Sequence, residues 1–474
     1  MKQKILLFFL STLLSGGLYA QKEANWWFFG HGNSLNFNNT TTISDDQGRV
    51  TDGMPQAGTG NITTDEGCFT LSDKNGNLMI YSDGMTIWNK NGVALPNGSG
   101  LLGGPSSTQS GIIVPYPGDP DKYYAISVAQ ERTTSGITYS VVDMTAQGGL
   151  GDVISGQKSL ILRAGPTDEN IAAVKKKGSD NYWIMHRDIV GNICTFYLWE
   201  LTPSGFTGPT TYTLTLNISS NHLGYLKFTS DATRFACPVW TQGSMLSGEF
   251  DAETGQVSNL QCRNVGFHAQ VYSFEFSLSG DHLYMTTAPN NSLAHISWEN
   301  LRNSTLSATN LNKGTGNVQM HPDGRIYGTG KSVTHLIVIM DPESGANADI
   351  RTFSNYLPTG ASWGLPTFAA SYMRVEGETG FCVNTSQDFS VSLNNSSIAY
   401  TIWNFGDGSP EIKDDDVSTG KQTHSYTYTR SGKYIISVKS FDSDDNLLQQ
   451  ESIEAEVLPC LIPVNPNIHV WNNN

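Results

Sequence analysis

The chain has 474 residues, of which 15% are charged and 38% hydrophobic, and it contains 48 glycines. Low charge with abundant glycine is typical of turn-rich exported β proteins and argues against a helical or a disordered chain. The formal net charge of −15 argues against nucleic acid as a partner, because an acidic surface repels a phosphate backbone.

The N-terminus, residues 1–20, predicts a secretory signal peptide. Lys2 and Lys4 give a positive start, an apolar run from Ile5 to Leu14 follows, and Leu18-Tyr19-Ala20 offers a small-residue cleavage site. A membrane anchor is the alternative, but a run of about 10 residues is too short to span a bilayer. No later stretch is long and apolar enough to be transmembrane. We therefore predict an exported protein that is extracellular, on the outer cell surface, or periplasmic.

A recurring pattern runs through residues 60–345, within a predicted domain of residues 21–374. Each unit has a short apolar strand, a polar turn with Gly or Asp, and a second strand that ends in aromatic residues, as in FSLSGDHLYM from Phe276. The turn residues lie 43, 61, 51, 50 and 42 positions apart, namely Gly76, Asp119, Asp180, Asp231, Asp281 and Asp323. This period predicts a β-propeller, in which radially arranged sheets bury each other's faces. Unrelated hairpins in a sandwich are the alternative.

The number of blades depends on how the ends of the repeat region meet. Six units are visible, and pairing Asn25–Gly30 with Ser362–Phe368 would close a ring of seven blades. Seven blades are the prediction and six are the alternative. Asp251–Gly255 and Asp341–Gly345 look like hairpin turns between the outer strands of two blades, and their equivalent placement supports the repeat.

The texture changes after residue 374. Residues 375–381 are typical of a linker, residues 382–460 form a second β segment, and residues 461–474 form an Asn- and Pro-rich tail. In the second segment Tyr434, Ile436 and Val438 share one face of a strand, which marks it as half-buried. Trp403 precedes the turn dipeptide Asp407-Gly408, and we predict that it lies in the core between two sheets.

Both parts resemble known families. The sequence WNFGDGS, followed by HSYTYTRSGKYIISVKSFD, resembles a PKD domain, an immunoglobulin-like β-sandwich common in exported and surface proteins. The motif residues that carry this resemblance are Trp403, Phe405, Gly406, Asp407 and Gly408. The sequences NWWFFGHGNSLNFN and EGCFTLSDKNGNLMIYSDGMTIWNKNG resemble the N-terminal propeller of Bacteroidetes surface proteins.

Proteins of that kind usually carry PKD domains followed by a sorting domain of the gliding-motility-associated type. The resemblance implies passage through the inner membrane by the signal peptide and through the outer membrane by the type IX secretion machinery. The residues up to Asn474 contain no recognisable sorting domain. We therefore expect either a fragment or a different route out of the cell.

No catalytic constellation is readable in the sequence. A sialidase-like propeller would need an arginine cluster, a tyrosine nucleophile and an acid, but arginine is scarce and the Asp-box-like segment from Ser82 to Trp88 has the wrong spacing. Neither GxSxG nor HExxH occurs. His282 and His321 fall in repeat turns or at strand edges, where we expect solvated side chains and not metal ligands.

No cofactor is predicted, and calcium is only a weak hypothesis. The acidic runs Asp414-Asp415-Asp416 and Asp442-x-Asp444-Asp445 lie in loops of the second segment, but neither has the spacing of an EF-hand. Solvated loops are the competing interpretation.

The six cysteines form no CxxC pair, so no zinc site is predicted. Cys382 and Cys460 bracket the PKD-like segment, and a disulfide between them would stabilise it by about 3–5 kcal/mol. Two buried free thiols are the alternative. Cys237 and Cys262 fall in one repeat and are a second candidate pair.

The leading hypothesis is a non-enzymatic surface or secreted protein whose propeller binds an extracellular glycan or protein, with the PKD-like domain as spacer or adhesion module. A propeller enzyme acting on extracellular polysaccharide, similar to a glycosidase, is the alternative, and a structural matrix component is a third. Carboxylates in a central funnel would favour the enzyme, and exposed aromatic residues would favour glycan binding. The sequence assigns no ligand-binding residue.

Overall fold

The computed structural model describes residues 22–130, 133–217, 223–240, 243–267, 270–287, 290–373, 381–393, 397–415, 417 and 420–458. They fall into two compact units, one within Gln21–Arg374 and one within Val375–Ile462. The predicted signal peptide and tail lie outside the described residues, as does the predicted linker except for Phe381.

The first unit is a β-propeller of seven sheets, in which strands adjacent in sequence pair antiparallel. Blade 1 has three strands: β1 (Trp26–Phe29), β2 (Asn33–Ser44) and β3 (Val50–Thr59). Blade 2 contains β4 (Cys68–Ser72), β5 (Leu78–Ser82), β6 (Thr86–Asn89) and β7 (Ala94–Ser99). Blade 3 contains β8 (Gly111–Tyr116), β9 (Asp119–Val128), β10 (Ile137–Asp143), the helical turn α1 (Ala146–Gly149), β11 (Asp152–Val153) and β12 (Leu160–Arg163).

The next blades have four strands each. Blade 4 contains β13 (Ala172–Lys175), β14 (Tyr182–Val190), β15 (Ile193–Thr202) and β16 (Gly205–Thr215). Blade 5 contains β17 (Lys227–Phe228), β18 (Arg234–Val239), β19 (Ser244–Asp251) and β20 (Gln256–Asn264). Blade 6 contains β21 (Val271–Phe276), β22 (His282–Thr287), β23 (Leu293–Ser297), helix α2 (Trp298–Asn303) and β24 (Thr309–Asn310).

Blade 7 contains β25 (Asn317–Met320), β26 (Ile326–Thr329), β27 (Leu336–Ile339), a 3-10 helix (Pro342–Asn347) and β28 (Ile350–Phe353). Strand β29 (Pro366–Thr367) and a second 3-10 helix (Ala370–Met373) follow. From blade 2 to blade 5 the first strands of neighbouring blades contact each other, and so do those of blades 6 and 7. These strands therefore surround the axis of the ring.

The repeat predicted from the turns is confirmed. Each of the six turn residues, Gly76, Asp119, Asp180, Asp231, Asp281 and Asp323, lies where the first strand of a blade gives way to the second, once in each of blades 2 to 7. Asp251–Gly255 and Asp341–Gly345 follow the third strands of blades 5 and 7, as predicted. The polar turns thus mark one face of the ring, and the segments that join successive blades mark the other.

The ring closes at its own ends, but not through the predicted pairing. Strand β1 pairs with β2, whereas Pro366 and Thr367 pair in parallel with Cys68 and Phe69 of β4. The preceding residues set this alignment, because Trp363 N–H donates to the Asp65 carbonyl at 3.0 Å. The closing segment still reaches blade 1, since the Phe368 and Trp27 rings lie 6.2 Å apart.

Aromatic packing joins the last blade to the first. The Trp27 and Tyr327 ring centroids are 5.8 Å apart, and the Phe37 ring stacks on the His321 imidazole at 3.6 Å. His321 is only 5% exposed, so the expectation that it is solvated is wrong. Its position beside a turn suggested exposure, but the core between the two blades encloses the side chain. His282 is half-buried, with its Nδ1 2.9 Å from Nε2 of His295.

The second unit is a β-sandwich. A five-stranded sheet has the order β30-β36-β35-β32-β33, and a two-stranded sheet pairs β31 with β34. The strands are β30 (Phe381–Cys382), β31 (Ser386–Leu393), β32 (Tyr400–Asn404), β33 (Ile412–Asp414), β34 (Gly420–Thr427), β35 (Gly432–Phe441) and β36 (Leu447–Leu458). Trp403 is fully buried among Phe389, Ile436 and Val438, which confirms its predicted place in the core between the sheets.

Four cysteines are free: Cys68, Cys194, Cys237 and Cys262. The suggested Cys237–Cys262 bond is therefore wrong. Both residues lie opposite Leu246, one on each neighbouring strand, so a whole strand separates them. Two strand spacings amount to about 9.5 Å, beyond the roughly 7 Å that a disulfide can bridge. Cys460 lies outside the described residues, so the Cys382–Cys460 bond stays a prediction.

We expect iodoacetamide to modify none of the six cysteines rapidly in the native protein at neutral pH. Burial raises the pKa of Cys68 well above its usual value and that of Cys262 to about 11, so little thiolate is present. After denaturation without reductant, four thiols should react, and after reduction all six. Mass spectrometry of the alkylated protein gives the count. Six reactive thiols before reduction would contradict the Cys382–Cys460 bond.

Candidate functional site

Aromatic side chains from four separate segments meet on the face where the blade-joining segments gather. Tyr225 precedes β17, Trp240 follows β18, Tyr272 lies at the start of β21, and Trp363 belongs to the closing segment. The two tyrosines form a buried pair, and the two tryptophans pack against it. We call Tyr225, Trp240, Tyr272, Trp363 and the adjoining Asn317 the axial cluster.

Rings and hydrogen bonds hold the axial cluster together. The Tyr225 and Tyr272 rings meet edge to face at 5.8 Å, and the Tyr272 and Trp363 centroids are 6.5 Å apart. Asn317 Nδ2 donates to the Tyr225 hydroxyl at 2.6 Å and to the Trp363 carbonyl at 2.5 Å. Ser273 Oγ donates to Asn317 Oδ1 at 2.6 Å. This network fixes the aromatic rings before any ligand arrives.

The tryptophans provide the accessible part of the axial cluster. Tyr225 and Tyr272 are each 1% exposed, whereas Trp240 and Trp363 are half-buried. Burial raises the pKa of both tyrosines well above the usual value, and the nearby charge of Glu66 adds to the effect. Both phenols are therefore neutral at physiological pH and do not act as phenolate nucleophiles.

The carboxylates near the axial cluster are buried in the interior of the propeller. Glu66 and Glu169 are 6% and 0% exposed. Glu169 Oε2 accepts hydrogen bonds from the Thr108 N–H and from Thr108 Oγ1, both at 2.9 Å. A pair of glycosidase carboxylates must flank a bond of the substrate. These buried groups do not present such a pair to the surface.

A second buried network lies at the end of β14. Arg187 donates from Nη1 to Asp168 Oδ2 at 3.0 Å, and both side chains have no exposed surface. Asp188 Oδ1 lies 2.9 Å from His186 Nε2 and accepts from the Asp168 N–H at 2.7 Å. Burial alone would raise the pKa of Asp188, but His186 and Arg163 lower it below its usual value. The network anchors the segment that joins blades 3 and 4.

The cavity at the centre of the propeller is small. A cavity of about 30 Å³ lies on the axis, enough for about one water molecule, and the closing segment contributes Phe368 and Met373 to its walls. Lys227 Nζ donates to Glu275 Oε2 at 2.7 Å and to Gln319 Oε1 at 2.9 Å in the same place. Burial lowers the pKa of Lys227, and Glu275 opposes the change. A sugar cannot enter this space.

An open groove of about 590 Å³ lies at the rim of blade 5. Its floor includes Phe250 and Trp298, and both are buried. The Arg234 and Arg302 guanidinium carbons lie 5.3 and 5.4 Å from the Trp298 ring centroid. The two guanidinium groups already cover the faces of the Trp298 indole. The groove therefore offers a ligand less aromatic surface than the axial cluster does.

The PKD motif residues have structural roles in the second unit. Trp403 and Phe405 are fully buried, and Gly406 and Gly408 have φ values of 76° and 85°, which favour glycine. Asp407 Oδ2 accepts from the Tyr426 hydroxyl at 2.9 Å. The motif thus shapes a turn beside the core.

The acidic runs considered for calcium contain Asp414 and Asp442, which accept hydrogen bonds within the second unit, and Asp416, which lies outside the described residues. Asp414 Oδ2 accepts from Gln422 Nε2 at 2.5 Å, and Asp442 Oδ1 accepts from the Asp444 and Asn446 N–H groups, both at 2.9 Å. Within the described ranges, no three His, Cys, Asp or Glu side chains are grouped so that they could hold a metal ion. Those ranges also contain no helix of the length and apolarity needed to cross a membrane.

Sequence reasoning did not find the axial cluster. Tyr225 lies just before the first strand of blade 5 and Tyr272 lies within the first strand of blade 6. Both therefore precede the turns from which the repeat was predicted. Tyr225 lies 6 positions before the turn residue Asp231 and Tyr272 lies 9 before Asp281, so a search for aromatic residues in a window ahead of each turn would have found both. The sequence predicts that Trp363 belongs to a closing strand, and only the fold shows that it packs beside the two tyrosines.

Comparison with known families supports the identity of the second unit. Residues 372–455 match the PKD domain family. The protein is therefore a β-propeller followed by a PKD domain of immunoglobulin-like β-sandwich fold. No curated protein matches the chain.

Solved structures share a limited likeness with it. A Bacteroides uniformis protein, described provisionally as a 6-phosphogluconolactonase, covers 82% of this chain and 95% of its own at 13% identity, with a TM-score of 0.39. The extracellular domain of a B. thetaiotaomicron protein, described provisionally as a one-component system, covers 93% and 56% at 12% identity, with a TM-score of 0.36. The periplasmic gluconolactonase of Pseudomonas aeruginosa covers 70% and 96% at 13% identity, with a TM-score of 0.35. None of these likenesses carries an argument about function.

Proposed function

We propose that the protein is exported and binds an extracellular glycan or protein through the axial cluster, without catalysing a reaction. The PKD domain serves as spacer or adhesion module. The observation that carries this proposal is the meeting of two half-buried tryptophans on a buried tyrosine pair at the axis. Aromatic rings held rigid in this way contribute contact area at little entropic cost.

The cellular location in this proposal rests on the N-terminal sequence and on the PKD domain. Residues 1–20 have the charge, apolar run and small residues of a signal peptide. Display on the surface of a Bacteroidetes cell through type IX secretion is the finer form of the proposal. It needs a sorting domain, which sequencing of the gene beyond the codon for Asn474 would reveal.

The glycosidase alternative has less support. It requires an accessible acid and an accessible nucleophile or base. Glu169 is bound by Thr108, Asp168 is bound by Arg187, and the cavity on the axis, which the closing segment helps to line, has room for about one water molecule. A binding protein uses the same fold without exposing these groups.

Truncating the half-buried Trp363 side chain should weaken ligand binding. We expect Trp363→Ala to weaken binding to any ligand found on an immobilised panel of glycans and extracellular proteins by at least about 10-fold, since hot-spot aromatics carry more than about 1.4 kcal/mol. Trp88→Ala is the matched control, because Trp88 is also half-buried but stacks on Tyr81 in blade 2.

The same panel tests the absence of catalysis. Reducing-sugar release from the glycans by the wild-type protein would overturn the non-enzymatic reading. Equal loss of binding in the Trp363→Ala and Trp88→Ala variants would overturn the assignment of the site to the axial cluster. Circular dichroism of both variants checks that each remains folded.

A further inference from the structure

A cation lies over one of the two half-buried tryptophan rings of the axial cluster. Lys331 Nζ is 4.5 Å from the Trp363 ring centroid, and the side chain is exposed. In the part of the chain that the structure describes, no carboxylate lies within ion-pair distance of Lys331. Asp65 lies on the same face, but its carboxylate is already 3.0 Å from His31 Nε2. An unpaired ammonium on so acidic a chain is available to an anionic ligand.

Two glycines leave the floor beside Trp363 without side chains. A Cβ on Gly316 would lie 2.9 Å from both Trp363 Cδ1 and Asn291 Oδ1, and 3.3 Å from the Cα of Gly330. The indole edge and the Asn291 amide therefore face each other across bare backbone. Any larger residue at Gly316 would fill the gap between them.

Two buried polar atoms at this place have no hydrogen-bond partner. They are the donor Nε1 of Trp363 and the acceptor Oδ1 of Asn291. Asn291 also has a φ of 48°, in the left-handed region that is costly for most non-glycine residues. Leaving a buried polar group without a partner is costly, and strained backbone conformations cluster at ligand sites.

We propose that Trp363, Lys331 and Asn291 form a subsite for an acidic saccharide, specifically a uronic-acid unit of a polysaccharide. The apolar face of the sugar would stack on the indole, and its carboxylate would take the place of the ring as partner of Lys331, while the Asn291 amide borders the indole edge across Gly316. The inference rests on the proposed function and names its ligand class.

The test is affinity electrophoresis of the full chain in gels that contain polygalacturonate or alginate, with laminarin as the neutral comparison. We expect the acidic polymers to retard the wild-type protein, and Lys331→Met to weaken this binding by at least about 10-fold. Lys331→Arg should retain most of it. Lys90→Met is the control, since Lys90 is exposed and carries the same charge elsewhere. Raising the salt from about 50 mM to about 300 mM should reduce the retardation.

The remaining outcomes decide between the two proposals. Retardation by laminarin that depends on Trp363 but not on Lys331 would overturn the acidic-saccharide inference and leave the proposed function standing. Equal losses in Lys331→Met and Lys90→Met would also overturn it, because the effect would then be one of net charge. Absence of retardation by both acidic polymers, with an acidic peptide bound instead, would overturn it in favour of a protein ligand.

Discussion

Replacing Arg187 by methionine is expected to destabilise the propeller by about 3–5 kcal/mol, the usual cost of removing one partner from a buried ion pair. The guanidinium has no exposed surface and donates to Asp168 Oδ2 at 3.0 Å and to the Leu223 carbonyl at 3.2 Å. Methionine fills much of the same volume but leaves the Asp168 charge in a medium that solvates it poorly. The midpoint of urea unfolding, followed by tryptophan fluorescence, measures the loss.

Two variants show whether the cost comes from the unpaired charge. Arg163→Met removes a guanidinium that is 24% exposed and pairs with Asp188, so it should cost less than Arg187→Met. The double variant Arg187→Met with Asp168→Asn removes both charges and should recover part of the lost stability. An unfolding midpoint for Arg187→Met equal to that of the wild type would show that the pair contributes nothing to the fold.

The repeat could be predicted because its signal is local. A polar turn between two apolar strands, such as Ser279-Gly280-Asp281 between β21 and β22, is written in about ten consecutive residues. The same holds for the PKD motif, in which Trp403 and the turn at Asp407 lie four positions apart. Burial of the sheet faces against each other then favours a ring of such units, whereas the number of blades depends on how the ends of the domain meet.

The candidate site could not be predicted in this way, because it is assembled from distant segments. Tyr225 and Trp363 are 138 positions apart, by subtraction of their numbers, yet Asn317 bonds to both. The buried charges were missed for a related reason. His186-Arg187-Asp188 has the composition of a solvated strand end, and only the packing of blades 4 and 5 shows that it is buried.

Closure of the ring depends on a close backbone contact between Gly364 and Glu66, which no sequence pattern predicts. The positions of the two segments at opposite ends of the domain predict that the closing segment pairs with β1. The pairing with β4 follows instead from the close approach of two backbones. A Cβ placed on Gly364 would lie only 1.4 Å from the Glu66 carbonyl oxygen. The absence of a side chain at Gly364 therefore lets the segment lie against the residues that lead into β4, which sets its alignment.

Gly364→Ala is accordingly expected to destabilise the propeller by about 3 kcal/mol or more, at the upper end of the usual cost of overpacking. The added Cβ is fixed to the backbone and the Glu66 carbonyl is part of the backbone, so neither can rotate away. Gly360→Ala is the matched control in the same segment. Its Cβ would lie 3.4 Å from Ser332 Cα, which is ordinary contact, so the change should be nearly neutral. Urea unfolding of both variants gives the comparison.

Because Trp363 adjoins Gly364, the Gly364→Ala variant should also lose ligand binding under conditions in which it remains folded. Equal stability of the two variants would mean that the closing segment does not hold the ring together.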